Sequence, residues 1–106
     1  LGLTAARAGI RLTAEAGISA IAQKARALTA FGLWVAVELE LDAAGGGGGH
    51  IAVRHPDAVA LHGALADRKV IVDRRDPDIL RFGMSPLTTR FTDVHHAITT
   101  LAALIS

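Results

Sequence analysis

Apolar positions recur with two different periods along this chain. "TAARAGIRLTAEAG" (Thr4–Gly17) reads as a short Ala-rich helix with Gly17 at its end. From Ile18 to about Leu41 the helical spacing resumes, with Ile21, Ala25, Leu28 and Val35 along one side. The second half of this stretch is apolar nearly all round, a pattern of burial on more than one side. "VAVELEL" (Val35–Leu41) also alternates, so a strand could take over from the helix there. "AAGGGGG" (Ala43–Gly49) lacks the spacing and the following helix of a phosphate loop and reads as a flexible connector. "HIAVRH" (His50–His55) is a short strand with Ile51 and Val53 facing in. Pro56 at the first helical position and Asp57 in the first turn open a helix to about Lys69. Its buried stripe is Ala58, Leu61 and Leu65, and Arg68 and Lys69 suit the negative end of its dipole. "VIVDRR" (Val70–Arg75) and "ILRFG" (Ile79–Gly83) are strands joined by the turn "DPD". Thr92 caps a last helix carrying Val94, Ile98, Leu101 and Ile105 on one face.

The order α–α–(β?)–β–α–β–β–α predicts an α+β fold, a small mixed β-sheet covered on one side by helices, with a crossover around the helix at 56–69 and a hairpin after residue 75. One domain is expected over residues 1–106: leading helices at 1–41, a Gly-rich connector at 43–49 and the sheet unit at 50–106. The first residue is Leu1, and the chain starts directly in helical sequence, as a piece of something larger would.

Composition narrows the functions. With 51% hydrophobic and 20% charged residues among 106, disorder is excluded. Eleven basic against ten acidic residues leave +1, which gives no nucleic-acid footprint and no polybasic membrane patch. The most apolar run, Ala27–Val37, is well short of the roughly 20 residues of a membrane span. The absence of cysteine removes disulfides, thiolate zinc sites and a Cys nucleophile, and fits a cytoplasmic protein. His95 and His96 are adjacent and would point about 100° apart on a helix, so they cannot share an ion, and no HExxH pattern occurs. None of Ser19, Ser85 and Ser106 sits in a nucleophile elbow. From motifs alone the chain carries no complete active site and no metal site.

One residue stands out. In "ILRFG", Leu80 and Phe82 point to one face, and Ile79, Arg81 and Gly83 to the other. Arg81 is thus a mid-strand guanidinium between an isoleucine and a glycine, with no acid beside it on that face of its strand. Two readings are open: an arginine paired with a surface acid such as Asp73, or one kept for a ligand carboxylate.

The stretch from Gly49 onward resembles the C-terminal small domain of kynureninases, pyridoxal-phosphate hydrolases of the aminotransferase fold type. The likeness rests on Gly49–His50–Ile51, Arg54–His55–Pro56, Val70–Asp73 and Leu80–Val94 ("LRFGMSPLTTRFTDV"), and more loosely on "EAGISAIAQKARALT". Three departures stand against it. Thr88 replaces the family's tyrosine, glycines replace the usual link before His50, and the large domain with its Schiff-base lysine is absent, since Lys24 and Lys69 do not match that region.

The resemblance implies a C-terminal fragment of an enzyme that hydrolyses L-kynurenine, or its 3-hydroxy form, to anthranilate or 3-hydroxyanthranilate and L-alanine, in tryptophan catabolism on a route to NAD. It implies pyridoxal 5'-phosphate, held mainly by the missing domain, as electron sink for cleavage between Cβ and Cγ. It makes Arg81 the clamp on the substrate α-carboxylate, with no catalytic or cofactor-binding residue in this chain. It also implies a cytoplasmic homodimer that covers the apolar helix around Trp34, with no nucleic-acid or membrane partner. The alternatives are the small domain of another enzyme of this fold type, such as a cysteine desulfurase or class V aminotransferase, and a non-catalytic α+β module dimerising through residues 27–37.

Overall fold

The computed structural model describes residues 2–46 and 49–106, and the side chains of all of these except 2–16 and 46. Its first element is one helix, α1 (Gly2–Glu38), where two were expected. Gly17 does not end it. A mid-helix glycine costs only about 1 kcal/mol, and no proline or cap follows to stop propagation through the flanking helix formers. Nor does a strand replace its last turns. α1 ends after Glu38 in a Schellman motif, with the Glu40 N–H bonded to the Val37 carbonyl (3.0 Å) and the Leu41 N–H to that of Ala36 (2.9 Å). Glu40 itself sits in the left-handed region, at φ 62°.

The Gly-rich connector contains the second correction. Ala43–Gly46 form a strand, β1, paired antiparallel with β2 (His50–Arg54). No side-chain pattern announces it; the pairing imposes it. Gly45 lies opposite Ile51 on the core side, where a Cβ would already meet Leu33 Cδ2 at 3.4 Å. A strand of small residues lets α1 lie close over this edge.

α2 (Ala58–Asp67) starts two residues later than Pro56, with Asp57 as its N-cap. The Asp57 N–H donates to His55 Nδ1 (3.0 Å), so this histidine works as a turn-former. Ala58, Leu61 and Leu65 are buried as their spacing requires. At the other end Arg68 donates to the Ala64 carbonyl (3.1 Å), and Lys69, at φ 62°, closes a second Schellman motif through Val70 N–H to Leu65 O (2.9 Å).

Residues 70–72 do not join the sheet: β3 is only Asp73–Arg75, followed by β4 (Ile79–Gly83). The strand order is β1-β2-β4-β3, and each hydrogen-bonded pair is antiparallel, where a mixed sheet was expected. β4 enters between β2 and β3, so those two run parallel without touching. The α+β class holds.

α3 (Phe91–Ile105) is capped at Arg90, not at Thr92. The Asp93 carboxylate accepts the Arg90 backbone N–H (2.8 Å) and also pairs with its guanidinium. These bonds hold the Asp93 carboxyl below its ordinary pKa.

All three helices lie on one face of the sheet. The core joins Leu28, Val35 and Ala36 of α1, Ile51, Val53, Leu80 and Phe82 of the sheet, Leu61 and Leu65 of α2, and Val94, Ile98 and Leu101 of α3. Gly32, buried on α1, faces Ile51, Met84 and Val94. The expectation that the apolar half of α1 is covered all round is not met within this chain. Trp34 is 61% exposed and Val37 57%, with Phe31 bridging Trp34 to Phe91 edge-on. Among the described residues no helix is long and apolar enough to cross a membrane.

Candidate functional site

The face of the sheet opposite the helices is where Arg81 is displayed. Leu80 and Phe82 are buried on the core side, which fixes Ile79, Arg81 and Gly83 on the bare side. The register then names the neighbours. Arg81 stands opposite Ala52 of β2 on one flank and Asp73 of β3 on the other, and His50 stands opposite Gly83. Arg81 therefore stands between Ala52 and Asp73, with Gly83 next along its own strand on the same face and His50 diagonal to it on β2. Its side chain keeps about a third of its surface exposed.

Because β4 is hydrogen-bonded on both sides, the arginine's backbone is fixed from two directions. The backbone beneath the side chain is thus placed, and the freedom left to lose on binding is that of the arginine's own rotamers. Five N–H donors in a fixed planar fork suit a carboxylate bound through two parallel bonds. Such a group has the chemistry to pair with an anion.

The expectation that no acid lies beside Arg81 is corrected here. It held along the strand and failed across it. Asp73 Oδ2 lies 3.8 Å from Arg81 Nη1 and 3.2 Å from Arg75 Nε. Asp73 and Arg81 are equidistant in sequence from Pro77, so folding the hairpin about "DPD" brings them level, as the surface-acid reading of Arg81 expected. Both expected readings of Arg81 are thus structurally available, since the ion pair is real and about a third of the side chain is exposed.

The other residues singled out in the sequence do not gather. His95 and His96 carry backbone carbonyls that accept from Thr99 and Thr100 within α3. His62 bonds the Val72 carbonyl (3.1 Å) and tethers α2 to the segment entering β3. Among the described residues no group of three His, Asp or Glu side chains could hold a metal ion.

A cavity of about 320 Å³ opens on the helix side, where residues 70–72 diverge from β4; Phe82, Met84, Val94 and Ile98 floor it, and Lys69 and His96 stand at its rim. It lies across the sheet from Arg81. The two lysines of the chain are Lys24, on α1, and Lys69, just after α2. Both belong to the helical layer, and neither shares the face of Arg81. A cofactor that must form a Schiff base beside an Arg81-bound substrate does not fit the residues of this chain.

Arg81 shares the bare face with Arg54 and Arg75, both level with Ile79 in the register. Residues 21–101 match the family described as Kynureninase C-terminal domain, and the chain belongs to that family. Over 58 residues, 55% of this chain, it is 45% identical to the kynureninase of Pseudomonas fluorescens. The identity and coverage are the same with the kynureninases of Burkholderia mallei (strain SAVP1) and Burkholderia pseudomallei (strain K96243). The matched stretch spans 14% of the length of each of these relatives.

Proposed function

We propose that this domain serves a kynureninase, and that its part is to hold the α-carboxylate of the substrate with Arg81. The whole enzyme would hydrolyse L-kynurenine, or its 3-hydroxy form, to anthranilate or 3-hydroxyanthranilate and L-alanine. Kynureninases use pyridoxal phosphate as a family. Here that group would be held by residues outside this chain, since neither Lys24 nor Lys69 stands on the face of Arg81. The observation that carries the reading is the placement of Arg81: mid-strand, about a third exposed, between Ala52 and Asp73 with Gly83 next along its strand, on the sheet face the helices leave bare.

Arg81 can compete successfully for a substrate despite its tie to Asp73. An exposed ion pair contributes only about 0–1 kcal/mol, so giving it up for a ligand carboxylate costs little. A homodimer in the cytoplasm is the assembly we propose, in which a second copy would cover the exposed patch of Trp34, Val37 and Phe91.

The test compares this chain with the full-length enzyme that carries it. Mixed with pyridoxal phosphate and L-kynurenine, the chain alone should release no anthranilate and yield no specific borohydride-reducible adduct. The full-length enzyme should release anthranilate and L-alanine in equal amounts. A stoichiometric adduct at Lys24 or Lys69 with turnover by the chain alone would refute the division of labour proposed here.

A further inference from the structure

We infer that Asp73 is a positioning residue for Arg81, steering its guanidinium without saturating it. This rests on the reading of Arg81 as a carboxylate clamp. The observation is a three-residue arrangement on the bare face. Asp73 stands directly opposite Arg81 in the β3–β4 ladder, and its Oδ2 lies between two arginines, 3.2 Å from Arg75 Nε and 3.8 Å from Arg81 Nη1.

The inequality of those distances matters. At 3.2 Å Asp73 lies nearer to Arg75 than to Arg81, and its charge is shared between the two. At 3.8 Å from Arg81 it lies beyond hydrogen-bond reach, close enough to attract one nitrogen and too far to claim the donor pair that a ligand would use. A long side chain on an open face has many rotamers, and a charge fixed on the neighbouring strand favours those leaning toward β3. That lean draws the guanidinium toward β3, the flank away from Ala52.

The rival reading makes Asp73 a competitor that repels an incoming carboxylate. Arg75 weighs against it, because its positive charge beside Asp73 offsets part of the repulsion at the far edge of Arg81, while Asp73 itself lies closer to the guanidinium than to a ligand there. The two readings give opposite signs when the acid is removed. Positioning gives weaker substrate binding, and competition gives tighter binding.

The test is steady-state kinetics of the full-length enzyme with L-kynurenine, for Asp73→Ala, Asp73→Asn, Arg81→Ala and the double variant Asp73→Ala/Arg81→Ala. Asp73→Ala should raise KM about three- to tenfold, a span set by the coupling of an exposed ion pair below and the rotamer freedom of a released arginine above. Its kcat should stay within about twofold, since the loss is in ground-state and transition-state binding alike. Asp73→Asn, which removes the charge and keeps the shape, should behave like Asp73→Ala, because at 3.8 Å the steering is by charge. In the Arg81→Ala background, Asp73→Ala should change nothing further, because there is no guanidinium left to steer. If Arg81→Ala raises KM while Asp73→Ala leaves it unchanged or lowers it, the positioning role is wrong and the clamp stands. If Asp73→Ala instead lowers kcat and Tm together with KM unchanged, or acts equally with and without Arg81, Asp73 is structural and the inference fails. If Arg81→Ala itself leaves KM unchanged, the clamp fails and this inference with it.

Discussion

Replacing Gly32 by alanine probes the tightest packing in the molecule. A Cβ at Gly32 would lie 2.4 Å from Ile51 Cδ1, 2.8 Å from Met84 Cε and 2.9 Å from Val94 Cγ1. Two of these atoms are ends of side chains that can swing. Val94 cannot, because a β-branched residue on a helix is confined to essentially one rotamer. Part of the strain must therefore move α1 against α3. Overpacking of this kind costs about 1–3 kcal/mol, while glycine to alanine within a helix returns about 1 kcal/mol in propensity. Gly63, within α2, supplies the control, since a Cβ there meets nothing within 4 Å. Gly63→Ala should stabilise, Gly32→Ala should destabilise, and the difference between them, in which the propensity gain cancels, should be about 1–3 kcal/mol. For a domain of this size that is roughly 5–15 °C in Tm, read by circular dichroism. Ile51→Val, which removes the nearest atom, should offset part of the Gly32→Ala loss in the double variant. Equal gains in Tm from the two glycine substitutions would mean that α1 does not approach the sheet and α3 this closely.

Both helix C-termini place a side chain where glycine is preferred, so Glu40→Gly and Lys69→Gly, each at φ 62°, should stabilise by about 1 kcal/mol in urea unfolding. A loss of stability at either position would show that the side chain contributes more than the left-handed backbone costs. The Arg90–Asp93 cap should appear in the acid dependence of Tm. The Asp93 carboxyl is held below its ordinary pKa by hydrogen bonds from Arg90, so its contribution is present above the unfolded-state value and fades as pH falls through the depressed folded value. Asp93→Asn should lower Tm slightly at neutral pH, and its gap to the parent should close below the usual carboxylate range. A gap that persists unchanged there would rule out the linkage.

Much of the packing was legible because it follows periodicity alone. The inward pairs Ile51/Val53 and Leu80/Phe82, and the stripes Ala58–Leu61–Leu65 and Val94–Ile98–Leu101, are buried as their spacing requires. The outward display of Arg81 follows from the same alternation. What failed was decided by neighbours distant in sequence. β1 has no alternating side chains to read, and its strand state comes from β2. Gly17 carried a stop signal that its surroundings outweighed. Residues 70–72 have the composition of a strand, yet lie off β4 beside the cavity, with Ile71 81% exposed. Asp73 was one of the partners open to Arg81 from the sequence, but choosing it needed the hairpin register, because an acid eight residues away becomes a neighbour only once that register is fixed.

The most direct measurement is kcat/KM for L-kynurenine in the full-length enzyme carrying Arg81→Ala, beside Arg81→Lys and an exposed-arginine control, Arg54→Ala. A desolvated carboxylate clamp lost by truncation should lower kcat/KM by roughly 30- to several-thousand-fold, the equivalent of about 2–5 kcal/mol, with cofactor content and Tm nearly unchanged. Arg81→Lys should recover only part of this, because a point charge cannot reproduce two parallel bonds. The parent should also discriminate strongly against the substrate analogue that lacks the α-carboxylate, and Arg81→Ala should not. If Arg81→Ala instead behaves like Arg54→Ala, or keeps the parent's preference for the carboxylate-bearing substrate, Arg81 is only the surface partner of Asp73.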